Sequence, residues 1–228
     1  MVPIGDSSLA NKLRREIEGE VLFDAFSRGR YSTDASIYQV EPIGVVVPKT
    51  EQDIVAAVQI AREAGAPVLP RGAGTSQCGQ TVGRALVIDV SKHLNKVIAL
   101  DKDARRVAVE PGVVLDRLNA HLRPHGLFFP VDVSPANRAT VGGMAGNNSC
   151  GSRSIRYGNM VHNVASIDAI LPDGEKLRFG PIDEPSGARV EELWAKLKTL
   201  AFAEADEIKR RFPKVLRRVG GYNIDELT

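Results

Sequence analysis

The chain has 228 residues, 43% of them hydrophobic and 25% charged, so it is long enough to bury a core as one large domain or two small ones. Its formal net charge of +2 gives no overall indication of a nucleic-acid or acidic-lipid partner, and Cys78 and Cys150 fall in no disulfide or zinc-binding pattern. Because it shows neither the apolar run of a signal peptide nor a stretch long enough to span a membrane, a cytoplasmic protein is expected.

The first half of the chain has the pattern of a parallel α/β unit. A charged helix is predicted over residues 7–20, and a polar segment follows it. The run "IGVVVP" predicts a buried strand, and "KTEQDIVAAVQIAREAG" predicts a helix capped by Thr50 and Asp53 and ended by Gly65. The segments "APVLPRG" and "RALVIDVS" predict two more strands. This order of strand, helix and strand with short connections is typical of a parallel sheet.

The second half has the pattern of antiparallel strands with helices. The segments "KVIALD" and "RRVAVEPG" predict a β-hairpin, and "ASIDAILPDGEKLRFG" predicts another with its turn at "PDG". Between the hairpins, Leu115, Leu118 and Leu122 share one face of a predicted helix that ends at Gly126. A long amphipathic helix is predicted over residues 190–208 and stops before proline 213.

The glycine-rich stretch "RGAGTSQCG", residues 71–79, nearly satisfies two phosphate-binding motifs. A dinucleotide fingerprint fails because Gln77 replaces the third glycine, and a P-loop fails because Gln80 replaces the lysine. In neither case does the pattern predict the required helix after the loop. Two interpretations remain at this point: a loop of main-chain N–H groups that cradles a diphosphate, or a plain tight turn.

A second glycine-rich stretch covers residues 134–159 and is predicted to be a long irregular loop. It contains four glycines before Tyr157, the adjacent asparagines Asn147 and Asn148, and several hydroxyl groups. Long irregular loops in compact domains are usually functional or disordered, and the apolar Val141, Met144 and Ile155 argue for packing. Two such loops, one from each half, suggest one extended ligand with a diphosphate and a flat ring. FAD meets both requirements.

Several other residues have types or spacings that occur in metal-binding or ligand-binding sites. His121 and His125 have the spacing of a metal pair, but Pro124 interrupts the helix between them and no third ligand is evident, so a solvated helix end is favoured and no metal is expected. A structural role is favoured for His162 over contact with a ligand. The basic run "KRRFPKVLRR" is interpreted as a solvated face. Cys150 is interpreted as a small buried residue.

The chain resembles the FAD-binding domain of the vanillyl-alcohol oxidase / p-cresol methylhydroxylase superfamily, the PCMH-type domain. The resemblance is closest to FAD-linked D-lactate, glycolate and D-2-hydroxyglutarate dehydrogenases. The matching segments occur in the family's order over nearly all of residues 40 to 180; they include "EPIGVVVPKTEQDIVAAVQIAREAGAPVLPRGAGTS", "ATVGGMAGNNSCGSRSIRYGNMVHNV" and "AILPDGE". An ordered set of this kind is far more specific than either glycine-rich loop alone.

The resemblance implies an α+β PCMH-type fold that consists of a small three-stranded parallel α/β subdomain and a larger antiparallel-sheet subdomain with helices, with FAD between them. The expected divisions are residues 1–40 for an N-terminal helix and extended segment, 41–95 for the first FAD-binding subdomain and 96–215 for the second. Residues 216–228 are expected to begin a linker to a substrate, or cap, domain. The chain is therefore expected to be the front part of a longer dehydrogenase.

The resemblance also implies the residues that bind the cofactor. The first loop would contact the pyrophosphate, mainly through main-chain N–H groups; its residues are Arg71, Gly72, Ala73, Gly74, Thr75 and Ser76. The ribityl and isoalloxazine region would be lined by Pro130, Ser134, Thr140, Gly142, Gly143, Asn147 and Gly151. Val164 or Ile167 would lie near the adenine end. No catalytic residue is identified.

The resemblance further implies that FAD is held noncovalently. Thr75 stands where members with attached flavin carry histidine, and the linking cysteine is absent near Val133 and Ser134. The expected function is oxidation of a D-2-hydroxy acid by hydride transfer to FAD, with substrate contacts outside this chain, no nucleic-acid partner, and a membrane surface or electron acceptor left open. An iron–sulfur cluster in a C-terminal part is also left open. The alternatives are an FAD-dependent reductase of cell-wall sugar synthesis and a flavin-binding or subunit module without turnover of its own.

Overall fold

The structure, a computed structural model, describes residues 2–181, 187–215 and 223–227. These residues group into two units. The first contains residues 1–129, 134–144 and 172–175, and the second contains residues 130–133, 145–171 and 176–228. The predicted subdomain boundaries after residues 40, 95 and 215 stay predictions. Most of the predicted linker, residues 216–222 and 228, lies outside the described residues.

The N-terminal segment of the first unit contains more regular structure than its sequence predicts. Helix α1 (Ser7–Glu16) forms but ends four residues early, because the chain becomes extended at Ile17. Strand β1 (Glu20–Leu22) follows and was not predicted. Helix α2 (Ala25–Tyr31), also not predicted, begins after Asp24, whose side chain accepts a hydrogen bond from the Ser27 N–H at 2.9 Å. The predicted polar segment is therefore partly helical.

A four-stranded sheet forms the centre of the first unit. After β1 its elements are β2 (Gly44–Val47), α3 (Glu51–Ala64), β3 (Val68–Arg71) and β4 (Leu86–Asp89). The strand order is β1-β2-β4-β3. The predicted three parallel strands are confirmed, and β1 adds an antiparallel edge strand beside β2. Strands β2 and β4 are buried along their whole length, as their continuous apolar sequence indicates.

Helix α3 has the caps that its sequence predicts. The Thr50 hydroxyl accepts a hydrogen bond from the Asp53 N–H at 3.1 Å, and the Asp53 side chain accepts one from the Thr50 N–H at 3.3 Å. Gly65 ends the helix in the left-handed conformation, with φ of 67°. Asp53 also accepts hydrogen bonds from the main chain of Glu18 and Lys49, so it joins the segment after α1 to the start of α3.

The remainder of the first unit follows the predicted order. Strands β5 (Val97–Asp101) and β6 (Arg106–Val109) form the predicted antiparallel hairpin. Helix α4 (Leu115–Leu122) buries the three leucines that were predicted to share a face. A 3-10 turn (Arg123–His125) follows, and Gly126, with φ of 69°, ends it. Helix α5 (Val141–Gly146) begins after a stretch that returns to the start of α4.

The second unit contains short helices, a hairpin and two longer helices. Its elements are α6 (Ser154–Tyr157), α7 (Met160–Asn163), β7 (Ile167–Ile170), β8 (Lys176–Phe179), α8 (Ala188–Ala203), α9 (Ala205–Arg211) and a 3-10 helix (Ile224–Leu227). The predicted second hairpin is confirmed. In the part of the chain that the structure describes, the two hairpins form separate two-stranded sheets, not one larger antiparallel sheet.

Two predictions for the C-terminal half are wrong. The helix predicted over residues 190–208 is two helices, because Glu204, with φ of −104° and ψ of 8°, leaves the helical conformation between α8 and α9. The stretch predicted as an irregular loop over residues 134–159 contains α5 and α6, because main-chain hydrogen bonds such as Met144 N–H to the Thr140 carbonyl and Gly158 N–H to the Ser154 carbonyl close short helical turns. Across the described residues, the helices are too short or too polar to traverse a bilayer.

Candidate functional site

The glycine loop, residues 72–81, leaves the end of β3 and leads to β4. Arg71, the last residue of β3, is paired with Asp89 in the parallel ladder. The loop turns at Gly74 and Gly79, whose φ angles of 67° and 72° lie in the left-handed region that favours glycine. The element that follows the loop is a strand, which agrees with the rejection of the dinucleotide fingerprint and the P-loop.

The main-chain N–H groups of the first half of the loop are its chemical feature. Within the described ranges, no residue accepts a hydrogen bond from the N–H groups of residues 72–76. The turn beyond them is internally bonded, since the Ser76 hydroxyl lies 2.7 Å from Gln80 Oε1 and accepts from the Cys78 N–H at 3.2 Å. Consecutive unbonded N–H groups of this kind suit the oxygens of a diphosphate.

The Arg71 side chain links the end of the glycine loop to the segment that begins at Tyr31. Its guanidinium donates hydrogen bonds to the carbonyl oxygens of Tyr31, Thr33 and Thr81, at 3.3, 2.9 and 3.0 Å. It also lies 5.2 Å from the centroid of the Tyr31 ring. Burial lowers the pKa of Arg71, yet an arginine stays protonated in proteins, so a positive charge remains beside the loop. A direct contact of Arg71 with the cofactor stays a prediction.

The hydroxyl of Thr140 is a buried polar group that lacks a partner. Thr140 is 3% exposed, and its Oγ1 makes no hydrogen bond within the part of the chain that the structure describes. A Cβ on Gly72 would overlap this Oγ1, and one on Gly143 would lie 3.2 Å from it. The structure therefore brings together three of the predicted cofactor residues. A buried hydroxyl without a partner costs stability, so its presence beside two bare glycines fits a bound polar ligand such as FAD.

Replacing Thr140 by valine is expected to change FAD affinity and protein stability in opposite directions. The methyl group removes the unsatisfied hydroxyl, so the ligand-free chain becomes more stable by about 1 kcal/mol. The same change removes a hydrogen-bonding group from the site, so FAD binds about tenfold more weakly. Urea unfolding without FAD and titration with FAD measure the two effects. A variant that is less stable and binds FAD as well as the wild type contradicts this assignment of Thr140.

Other predicted cofactor residues of the first unit have different surroundings. Gly142 lies against Pro111, whose side chain would be 2.6 Å from an added Cβ, so this glycine is required by packing whether or not a ligand is bound. Ser134 is exposed, and Ala73 is exposed on the glycine loop. The roles of Ala73, Thr75 and Ser76 toward the cofactor, like those of Ser134 and Gly142, stay predictions.

In the second unit, Gly151 is held by the side chain and carbonyl of Asp132, with which an added Cβ would collide. The Asp132 carboxylate accepts hydrogen bonds from the Ser152 hydroxyl at 2.6 Å and the Arg153 N–H at 2.9 Å. Burial acts to raise the pKa of Asp132, but these hydrogen bonds lower it overall. These hydrogen bonds fall on the two residues that precede α6. Other predicted residues of this unit are Pro130, Asn147 and Val164, all half-buried, and Ile167, exposed at the start of β7.

The histidines and cysteines have simple surroundings. His162 has the structural role that was favoured, because its Nδ1 accepts a hydrogen bond from the Asn159 N–H at 3.0 Å at the start of α7. His121 and His125 are exposed, with ring centroids 6.3 Å apart. Cys78 is exposed, and Cys150 is half-buried where a buried residue was expected. Among the described residues, no group of three His, Cys, Asp or Glu side chains is placed to hold a metal ion.

The residues that fix the glycine loop from outside it were not predicted from the sequence. These belong to the segment between α2 and β2, where Ala35 donates its N–H to the Gly74 carbonyl at 3.1 Å and Asp34 accepts from Thr81. The sequence carries no local signal for these contacts, because the partners are about 40 residues apart.

Comparison with known proteins agrees with this geometry. A family model described as "FAD binding domain" matches residues 42–180. D-2-hydroxyglutarate dehydrogenase of Pseudomonas putida is 35% identical over an alignment of 222 residues that covers 92% of this chain and 22% of that protein. Glycolate oxidase subunit GlcD of Bacillus subtilis is 34% identical over an alignment of 171 residues that covers 72% of this chain and 36% of that protein. The chain thus spans about a fifth of the length of the dehydrogenases that it matches.

Solved structures support the fold. A structure of alkyldihydroxyacetonephosphate synthase aligns with a TM-score of 0.68 and 19% sequence identity, over 80% of this chain and 36% of that one. At this identity the likeness concerns the fold alone. With the family match over residues 42–180, these findings show that the chain belongs to the PCMH-type FAD-binding domain family.

Proposed function

We propose that this chain holds FAD noncovalently for a dehydrogenase that oxidises a D-2-hydroxy acid. One observation carries the proposal. The N–H groups of residues 72–76 make no hydrogen bond within the described residues, and the buried Thr140 hydroxyl, which also lacks a partner there, lies beside Gly72. The N–H groups would hold the diphosphate, and Thr140 would donate to or accept from a polar group of the cofactor. The positive charge of Arg71 lies beside the same loop and favours an anionic ligand.

The substrate class is supported by the relatives. Three kinds of relative, D-2-hydroxyglutarate dehydrogenase, glycolate oxidase subunit GlcD and D-lactate dehydrogenase, are named for small 2-hydroxy acids. FAD, when bound, would supply a two-electron acceptor for the oxidation of a 2-hydroxy acid to a 2-oxo acid. The residues of this chain would bind and orient the cofactor for that reaction.

The bound flavin is expected to be released when the FAD-loaded chain is precipitated with acid. Thr75, in the position where linked members of the family carry histidine, has a hydroxyl that forms no stable bond to the flavin ring. All of the yellow colour should appear in the supernatant, where absorbance measures it. A covalent flavoprotein treated in parallel serves as the control. Flavin retained in the pellet of this chain would contradict noncovalent binding.

The substrate proposal is tested by anaerobic reduction of the bound flavin. We expect a D-2-hydroxy acid, but not its L enantiomer, to bleach the flavin in the product of the complete gene that encodes this chain. In the 228-residue chain alone, dithionite should bleach the flavin and the hydroxy acids should not. No catalytic residue is identified in this chain, and a positioned base and an oriented substrate each raise the rate of such a reaction by a large factor. Stopped-flow absorbance with both enantiomers of 2-hydroxyglutarate and of lactate, and with the achiral glycolate, measures flavin bleaching in the two proteins. Failure of all three acids with the complete product contradicts the proposed substrate class.

A further inference from the structure

The segment between α2 and β2 carries a candidate positioning function for the cofactor. We propose that residues 31–38, here called the arm, hold the glycine loop in the conformation that receives the flavin diphosphate. The arm lies before residues 42–180, which match the family model. The proposal rests on the proposed function, in which residues 72–76 bind the diphosphate.

The arm is a closed turn with a defined shape. The Val40 N–H donates to the Ser32 carbonyl at 2.9 Å, and Thr33 pairs with Gln39 as an isolated antiparallel bridge. At the tip, Asp34 accepts a hydrogen bond from the Ser36 N–H at 2.8 Å. These bonds fix the ends and the tip of the arm, so its contacts with the loop are made by an ordered segment.

The base of the arm is tied to the sheet beneath the loop. The Tyr31 hydroxyl donates to Asp89 Oδ2 on β4 at 2.7 Å, and burial together with this hydrogen bond raises the pKa of Tyr31, so the phenol stays protonated. The guanidinium of Arg71 bonds the Tyr31 and Thr33 carbonyls. One end of the arm is thus fixed to the strands from which the glycine loop departs.

The arm contacts the loop at three points. The Ala35 N–H donates to the Gly74 carbonyl at 3.1 Å, next to the unbonded N–H groups of residues 72–76. Asp34 Oδ2 accepts from the Thr81 hydroxyl at 2.9 Å and lies 3.4 Å from the Thr81 N–H. The Tyr38 ring covers Gly79, where its Cδ2 would be 2.5 Å from an added Cβ. These contacts fall on both glycines of left-handed conformation and on the end of the loop.

The contacts suit positioning and not direct binding of the ligand. Asp34 is an acceptor, and a carboxylate would repel a diphosphate, so its effect must pass through Thr81. Burial acts to raise the pKa of Asp34, but the hydrogen bonds from Ser36 and Thr81 lower it overall, which keeps the acceptor ionised. A loop with three glycines has many conformations to lose on binding. Fixing it beforehand removes part of that entropic cost and raises affinity.

A double-mutant cycle between Asp34 and Thr81 tests the proposal. Asp34→Ala and Thr81→Val each remove their shared hydrogen bond, and each is expected to weaken FAD binding about tenfold. The double variant should bind no more weakly than either single variant, because both changes break the same contact. Asp34→Asn should retain affinity within about threefold, since the amide oxygen still accepts from Ser36 and its N–H₂ can donate to the Thr81 hydroxyl. Fluorescence titration of FAD measures all four.

Asp24→Ala is the matched control. It removes another carboxylate that accepts a main-chain N–H, at the start of α2, and is expected to lower the melting temperature of the ligand-free chain without changing FAD affinity. If the wild-type chain does not bind FAD, the proposed function fails. If the wild type binds FAD and the Asp34→Ala variant binds it equally well, the arm has no positioning role. Additive losses in the double variant, or failure of Asp34→Asn to restore affinity, would also overturn the inference.

Discussion

Replacing Gly74 by valine is expected to weaken FAD binding by about 100-fold or more. Gly74 has φ of 67°, where a β-branched residue is strained by about 1–3 kcal/mol. A side chain there would also meet the Arg71 guanidinium, whose Nη2 would lie 2.6 Å from the new Cβ. Displacing Arg71 breaks its hydrogen bonds to Thr33 and Thr81, so the loop loses its support together with its conformation. Titration with FAD, followed by flavin fluorescence, measures the loss.

Gly65→Val separates the loss of binding from backbone strain. Gly65 has the same φ of 67°, but it ends α3 and an added Cβ would meet nothing within 4 Å. This variant is expected to lose stability through strain and to retain FAD affinity. Binding of FAD by the Gly74→Val variant with wild-type affinity would show that residues 72–81 are only a turn.

Replacing Asp53 by alanine is expected to destabilise the ligand-free chain by about 3 kcal/mol. Asp53 is 3% exposed, and its carboxylate accepts hydrogen bonds from the N–H groups of Glu18, Lys49 and Thr50, at 2.9, 2.8 and 3.3 Å. Alanine leaves these donors without an acceptor, and hydrogen bonds to a charged group contribute more than neutral ones. It also releases the segment after α1 from the start of α3. Urea unfolding measures the change.

Thr50→Ala is the control for the helix cap alone. It removes one side of the capping box and should cost about 1 kcal/mol, the usual loss for such a cap. The difference between the two variants reports the part of the Asp53 effect that comes from joining Glu18 and Lys49 to the helix. If Asp53→Ala costs no more than Thr50→Ala, the contact with Glu18 contributes little to stability.

The regular elements of the first unit were predictable where local sequence decides them. Strands β2 and β4 are continuous apolar runs that stay buried on both faces, and α3 carries its own start and stop signals at Thr50 and Gly65. The hairpin turns were predictable for the same reason, since "PDG" and similar turns depend on the conformations of a few adjacent residues.

The elements that the sequence missed depend on partners far along the chain. Strand β1 has three half-buried residues and little pattern of its own, and it forms because the edge of β2 offers unpaired main-chain groups. The break between α8 and α9 at Glu204 contains no proline or glycine, so the sequence does not predict it. In both places the surrounding structure overrides a weak local preference.

For the candidate site, the sequence by itself determined the family, the glycine positions and the expectation of FAD, because bare backbone and ordered motifs are local properties of the chain. Only the tertiary structure decided that Thr140 lies buried without a partner against Gly72, and that Asp34 and Ala35 hold the glycine loop from outside it. Those residues are separated by tens of positions, and their types are common in surface segments. Their chemistry becomes visible only when folding removes water from Thr140 and brings the arm onto the loop, since neither burial nor a long-range hydrogen bond leaves a signal at a single position.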